Sequence, residues 1–232
     1  MELLSEGSLI WSAVVANTRM NRERNASGIN SYEQEFRFRP QDILLEYIQQ
    51  QGHVSWLDVC CGQGKALIQA ADYLASRHLQ GQALLFGIDL IDSFLPVPGN
   101  ITCLTFDIQS AVDWQPKQCY DLITCVHGIH YVGDKLKVLS HIFTALSGNG
   151  RFYCNLDLQN VHIQGQKADY LKQLFRKHHI DYNSRTKILS CQGPRMIDFG
   201  VTYLGADDQT GPNYTGQEAV TSHYVTSQTS MS

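Results

Sequence analysis

Trp56-Leu57-Asp58-Val59-Cys60-Cys61-Gly62-Gln63-Gly64-Lys65 is the stretch that decides the fold. It follows a run of strand-like residues from Val54. It precedes apolar positions at helical spacing, Leu67, Ala70, Ala71 and Leu74. A strand that passes through a glycine turn straight into a helix is the first half of a crossover unit. Glycines in such a turn let the backbone come close to a ligand, and the helix start offers free N–H groups. The turn lacks the third small residue of a dinucleotide-binding G-x-G-x-x-G/A, because Leu67 stands there. Asp58, four residues before Gly62, would repel a pyrophosphate and suits a ligand bearing a positive charge.

The pattern repeats outward from this turn. Pro40 opens a helix with one apolar stripe of Ile43, Leu44, Tyr47 and Ile48. Strands are predicted at 83–90 (ending at Asp89), 101–106 (ending at Asp107), 120–126 and 151–156. Asp134 is placed to cap a helix over Leu136, Leu139, Ile142, Phe143 and Leu146, and another helix carries Leu171, Leu174 and Phe175. Strands around 187–191 and 197–204 have little between them and imply an antiparallel hairpin. The alternation predicts an α/β fold: a doubly wound, Rossmann-like, mostly parallel seven-stranded sheet with an antiparallel C-terminal hairpin and an N-terminal helical cap. Its parts are a cap or lid segment at 1–39, with a helix around Leu9 to Val15, the Rossmann-like domain at 40–207, and a polar, weakly held tail at 208–232.

Composition narrows the function classes. The chain has 232 residues, 43% hydrophobic, which suits one domain with a real core. Charged residues are 17%, and the net charge of −4 argues against a strongly basic nucleic-acid binder. No apolar run approaches the roughly 20 residues of a bilayer span. The first residues have acids where a signal peptide needs bases, and the seven cysteines are an odd, scattered set. A reducing cytoplasm is the simplest compartment.

Asp58, Asp89 and Asp107 end three successive strands, on the side of a parallel sheet where ligands bind. At that point the chain resembles the class I S-adenosylmethionine-dependent methyltransferases, from about Val54 to Leu204. Asp58, Cys60, Gly62 and Gly64 fall on the family's acid-x-Gly-x-Gly-x-Gly turn, with Cys60 in place of the first glycine. Asp89, with Leu90 beside it, looks like the acid that holds the ribose hydroxyls. Phe106-Asp107-Ile108 looks like the adenine-contacting segment. Tyr120 through Val126 to Tyr131 resembles the fourth-strand motif and its extension toward the substrate, and Leu146 to Tyr153 the turn into the fifth strand.

The resemblance implies S-adenosyl-L-methionine as cofactor. It also implies methyl transfer to an oxygen or nitrogen of a small-molecule acceptor. Contacts are expected from Asp58, Cys60, Gly62, Gly64, Asp89, Leu90, Asp107, Ile108 and Val126. Tyr32 is expected from the lid, where similar proteins place an aromatic against the methionine moiety. The methyl of a sulfonium is already activated, so a base is needed only for a protonated or weak nucleophile. His127 and His130 follow the fourth strand and are the candidate bases, though either could merely contact cofactor or close the cleft. Tyr131, His162 and Tyr32 are weaker candidates. No third ligand joins the two histidines, so no metal site is expected. Cys60 and Cys61 read as small turn residues and Asp121 as structural.

Arg19, Arg22, Arg24, Arg37 and Arg39 cluster in the lid segment, five of the ten arginines. As a lid they would suit an anionic acceptor; as a mixed-charge surface they would do nothing specific. Three alternatives remain at this stage: an RNA or other nucleic-acid methyltransferase using the arginines, an NAD(P)-dependent oxidoreductase, and a non-catalytic cofactor-binding protein. Membrane association is not expected, and the sequence sets no oligomeric state.

Overall fold

A computed structural model describes residues 3–9, 11–17 and 23–227. Five parallel strands form its centre: β1 (Val54–Val59), β2 (Ala83–Asp89), β3 (Leu104–Ile108), β4 (Tyr120–Cys125) and β5 (Leu146–Asn155). With β7 (Asp181–Asn183) and β8 (Ile188–Gln192), the order across the sheet is β3-β2-β1-β4-β5-β8-β7. β4 is buried along its whole length, as a strand covered on both faces must be. One face packs on α4 (Pro40–Gln51) and α5 (Lys65–Ala75) around Trp56, Leu67 and Leu122. The other packs on α6 (Lys135–Thr144) around Ile123, Leu139 and Phe152. Asp121 ties β1, β4 and β5 together: its carboxylate accepts from the Ser55 N–H (2.8 Å) and the Ser147 hydroxyl (2.8 Å).

The helix ends follow their residues. Pro40 sits in the first turn of α4, and Gly52 ends it in the left-handed region at φ 82°. Asp134 caps α6 by accepting from the Lys137 N–H at 3.1 Å. The expected helix near residues 9–15 is two short ones, α1 (Glu6–Leu9) and α2 (Ala13–Asn17), followed by α3 (Tyr32–Phe36).

Two expectations about the C-terminal part need correction. An antiparallel hairpin does finish the sheet, but β7 and β8 make it. The segment expected to pair with residues 187–191 is instead β9 (Val201–Asp207), in a separate sheet ordered β6-β10-β9 with β6 (Val161–Gln164) and β10 (Thr221–Thr226). Residues 208–227 are not a loose tail either. β10 is the middle strand of the second sheet, and Val220, Ser222 and Tyr224 are buried. Its polar residues are held by hydrogen bonds. Lys135 Nζ, on a side chain with no exposure, donates to the Val220 carbonyl (2.7 Å), the Val132 carbonyl (2.8 Å) and Ser222 Oγ (3.0 Å). A polar strand can therefore be core when most of its buried donors and acceptors are matched, although His223 Nε2 is left without a hydrogen-bond partner among the described residues. No helix among the described residues is long and apolar enough to cross a membrane.

Candidate active site

The strand order reverses between β1 and β4, and a cleft opens at their carboxyl ends. It encloses about 980 Å³, its open mouth included. The glycine turn and the end of β2 line one side, with Cys60, Gly62, Asp89, Leu90, Ala111 and Val112. The end of β4 and the short helical turn Gly128–Tyr131 line another, with Val126, His127, Gly128 and Tyr131. The N-terminal segment closes over it through Glu6, Leu9, Val15, Arg24 and Tyr32, joined by Gln217.

The turn is held in shape from several directions. Gly62 donates its N–H to Asp89 Oδ2 (2.9 Å), and Asp89 Oδ1 accepts from the Ile91 N–H (3.2 Å). Cys60 adopts φ 58°, a conformation that disfavours side chains. Its side chain lies where a Cβ on Gly128 would have to sit, 2.2 Å from Cys60 Cβ, so Gly128 makes room for it. Gly64 is at φ 71°, and its bare face meets the Phe106 ring: an added Cβ would lie 2.2 Å from Phe106 Cζ. Phe106 in turn stacks on Phe94 at 4.6 Å.

The expected site residues separate into two groups. Tyr32, Cys60, Gly62, Asp89, Leu90, Val126 and His127 meet in the cleft. Asp58, Gly64, Asp107, Ile108 and His130 do not line it. Asp58 is buried beneath the turn, where the Tyr32 hydroxyl (2.5 Å) and the Thr124 hydroxyl (2.6 Å) donate to its two oxygens. Burial pushes its carboxyl up to about 7, against the lowering effect of those two donors. Gly64 serves the Phe106 contact. Asp107 and Ile108 are exposed at the end of β3, and Ser110, Ala111 and Val112 line the cleft after them. Asp92 is exposed and away from the lining.

His130 is fully buried. Its Nε2 accepts from the Asp157 N–H (3.2 Å), and the Asn213 amide lies 3.1 Å from Nδ1. Burial, reinforced by the His127 and Lys135 charges, pulls its pKa well below the usual histidine value. A buried ring whose Nε2 accepts from Asp157 and whose Nδ1 lies against Asn213 is a structural pin for residues 157 and 213. Tyr131 donates to Gln217 Oε1 at 3.1 Å, and His162 lies outside the cleft.

His127 is placed differently. It lines the cleft, and its Nε2 is 2.9 Å from Glu35 Oε1. The same oxygen accepts from Arg24 Nη1 at 3.2 Å, and Glu35 Oε2 accepts from Asn155 Nδ2 at 3.3 Å. Asn155 Oδ1 receives the His127 N–H (3.3 Å), and Asn155 Nδ2 also donates to the Tyr214 hydroxyl (3.2 Å). Burial alone would raise the Glu35 carboxyl; the His127 hydrogen bond and charge, Arg24 and Asn155 outweigh it and hold Glu35 below its ordinary value. A ring whose Nε2–H donates to a carboxylate turns Nδ1 toward other partners. Nδ1 makes no hydrogen bond among the described residues.

Sequence reasoning did not single out Glu35, Asn155, Tyr214 or Gln217. Arg24 appeared only as one of a cluster; Arg19 and Arg22 lie outside the described residues. No sequence pattern links Glu35 to His127; only the way α3 folds over β4 brings them together.

The residues present fit S-adenosylmethionine. A carboxylate ends β2 beside apolar Leu90, Ala111 and Val112, suited to a ribose next to a flat ring, and the adjoining backbone is open at Gly62. Residues 23–191 match the family model described as a methyltransferase domain. Solved structures of similar fold include the N-methyltransferase NodS from Bradyrhizobium japonicum WM9 with S-adenosyl-L-homocysteine. Identity there is 12%, over 77% of this chain and 100% of that one, with a TM-score of 0.43. They also include the plantazolicin methyltransferase BpumL with the same ligand, at 16% identity, 78% and 64% coverage and a TM-score of 0.43. In complex with a desmethyl-plantazolicin analogue, BpumL aligns over 52% of its length, at 20% identity, 55% coverage of this chain and a TM-score of 0.37. No curated protein matches the sequence. The family model covers most of the chain, so the chain belongs to the class I S-adenosylmethionine-dependent methyltransferases.

Proposed function

We propose that this enzyme transfers the methyl group of S-adenosylmethionine to an oxygen or nitrogen of a small-molecule acceptor, with His127 as the general base. The observation that carries the reading is the His127–Glu35 pair at 2.9 Å in the wall of the cleft that also holds Asp89. The bound sulfonium supplies an activated methyl group. Asp89 would hold the ribose hydroxyls, Leu90, Ala111 and Val112 would flank the adenine, and Tyr32, Cys60, Gly62 and Val126 would face the methionine end. Asp58 acts at one remove, by fixing the Tyr32 hydroxyl. His127 Nδ1 takes the acceptor's proton as the new bond forms, and Glu35 steadies the imidazolium. Residues 1–39 act as the lid that excludes water. Seven free thiols support a reducing, cytoplasmic setting.

Thermal shift tests the cofactor assignment. S-adenosylmethionine and S-adenosylhomocysteine should each stabilise the protein, by about 2.7 kcal/mol at 100 times Kd. NAD and NADP should not. An equal response to NAD, or none to either sulfur ligand, would overturn it.

A further inference from the structure

Arg24 lines the acceptor side of the cleft with half of its guanidinium committed. Nη1 alone makes its contacts, to Asn30 Oδ1 (3.1 Å) and Glu35 Oε1 (3.2 Å). Nε and Nη2 make no hydrogen bond among the described residues, and neither is a buried, unpartnered atom. Those two nitrogens form the side-on edge of the guanidinium, the edge that takes a carboxylate through two parallel hydrogen bonds. Its orientation is fixed by Glu35 and Asn30, so little freedom is lost when an anion docks.

The acid nearest that edge does not compete for it. Both Glu35 oxygens are already occupied by Arg24, His127 and Asn155. Glu6 Oε1 accepts from the Asp134 N–H (2.6 Å) and the Tyr203 hydroxyl (3.0 Å). Arg24 and His127 meet on the same Glu35 oxygen, so an anion on the fork lies one guanidinium width from the carboxylate that holds the proposed base.

We infer that the acceptor is a compact molecule carrying a carboxylate, which docks on the Nε/Nη2 edge of Arg24 while its hydroxyl or amine faces His127. The inference rests on the methyltransferase reading above and names the substrate class of that same site. It assigns Arg24 to specificity: an acceptor with a neutral amide in place of the carboxylate would leave the fork unmatched.

The test uses the full chain with hydroxybenzoates and aminobenzoates, each beside its carboxamide. Binding of S-adenosylhomocysteine is measured first by calorimetry; its absence in the wild type would remove the methyltransferase reading itself, and this inference with it. Labelled methyl transfer from S-adenosylmethionine is then followed. The wild type should prefer carboxylates over carboxamides at least tenfold in kcat/KM. R24Q should lose that preference, R24K should keep only part of it, and both should bind S-adenosylhomocysteine within about twofold of the wild type. R24K keeps the charge without the fork, so it covers the case in which R24Q fails to fold. The inference is overturned if the wild type shows no carboxylate preference or if R24Q retains it. It is also overturned if both variants lose S-adenosylhomocysteine affinity tenfold, which would make the cofactor's own carboxylate the ligand of Arg24.

Discussion

Glu35 Oε1 lies 2.9 Å from His127 Nε2, joining a helix of the N-terminal segment to the residue that leaves the fourth strand. A half-buried carboxylate held below its ordinary pKa orients the ring and fixes its tautomer. Removing the ring should cost more than removing its partner. His127→Ala is expected to lower kcat by about 10²- to 10⁴-fold and Glu35→Gln by roughly 10- to 100-fold. Both should leave S-adenosylhomocysteine affinity nearly unchanged in calorimetry. A full-rate H127A enzyme would show that the acceptor needs no base.

His130→Gln makes the contrasting case. It occupies the interior, contacts Asp157 and Asn213, and does not line the cleft. Its replacement should lower Tm, by about 2–4 °C per kcal/mol lost, while kcat at a temperature where the variant stays folded remains within a few-fold of the wild type. Loss of chemistry without loss of Tm would place it in the reaction after all.

Asp89→Ala should weaken cofactor binding by roughly 10- to 100-fold, the loss of hydrogen bonds to a charged group. It also frees the Gly62 N–H, so circular dichroism should accompany calorimetry. Asp92→Ala, at an exposed position, is the control and should bind normally.

Two buried groups give stability an unusual pH dependence. Asp58 is pushed from 3.8 to about 7 chiefly by burial, so the folded chain holds a proton that the unfolded chain releases. Its contribution is complete below about pH 4 and is lost as pH rises to 7 and beyond. Lys135 is lowered from 10.5 to about 7, again by burial. The unfolded chain now holds the extra proton, so this contribution is complete above about pH 10.5 and is lost as pH falls through 7. Lys135→Met should therefore flatten the rise in Tm between pH 7 and 10, and Asp58→Asn the fall between pH 4 and 7. A K135M curve parallel to the wild type would contradict the assignment.

Gly64→Ala and Gly128→Ala both place a methyl group within 2.2 Å of fixed neighbours, Phe106 and Cys60. Gly64 adds a left-handed backbone at φ 71°. Each should cost at least about 2 kcal/mol, read as a drop in Tm. Gly148→Ala, with nothing within 4 Å, should cost little.

The glycine-turn side of the cleft was legible because it is local, although Asp58, Gly64, Asp107 and Ile108, expected there, do not line it. The acid, the glycine turn and the helix after it lie within one crossover, and the spacing of apolar residues places them at a strand end. Asp89 followed from the same logic one strand later. The wall around His127 was not legible, because its contacts span the chain: Glu35 to Asn155 across 120 residues, Asn213 to His130 across 83. The polar composition of residues 208–227 also misled. Ser222 and Thr221 look like surface residues, but Lys135 and Asn160 meet them in the interior. Local patterning reports which groups are polar; it does not report which of them find partners.

That division has a consequence for how the molecule assembles. Glu6, which lines the cleft, hydrogen-bonds to Tyr203, 197 residues away, and Leu4 pairs with Ala206 beside it. Ring closure over such separations is slow, whereas the neighbouring parallel units around the glycine turn close short loops. The half around the glycine turn is expected to condense early and the wall closed by Glu6 and Tyr203 to zip up late. Substitutions in that wall should then speed unfolding more than they slow folding, leaving substrate choice free to drift without endangering the nucleus of the fold.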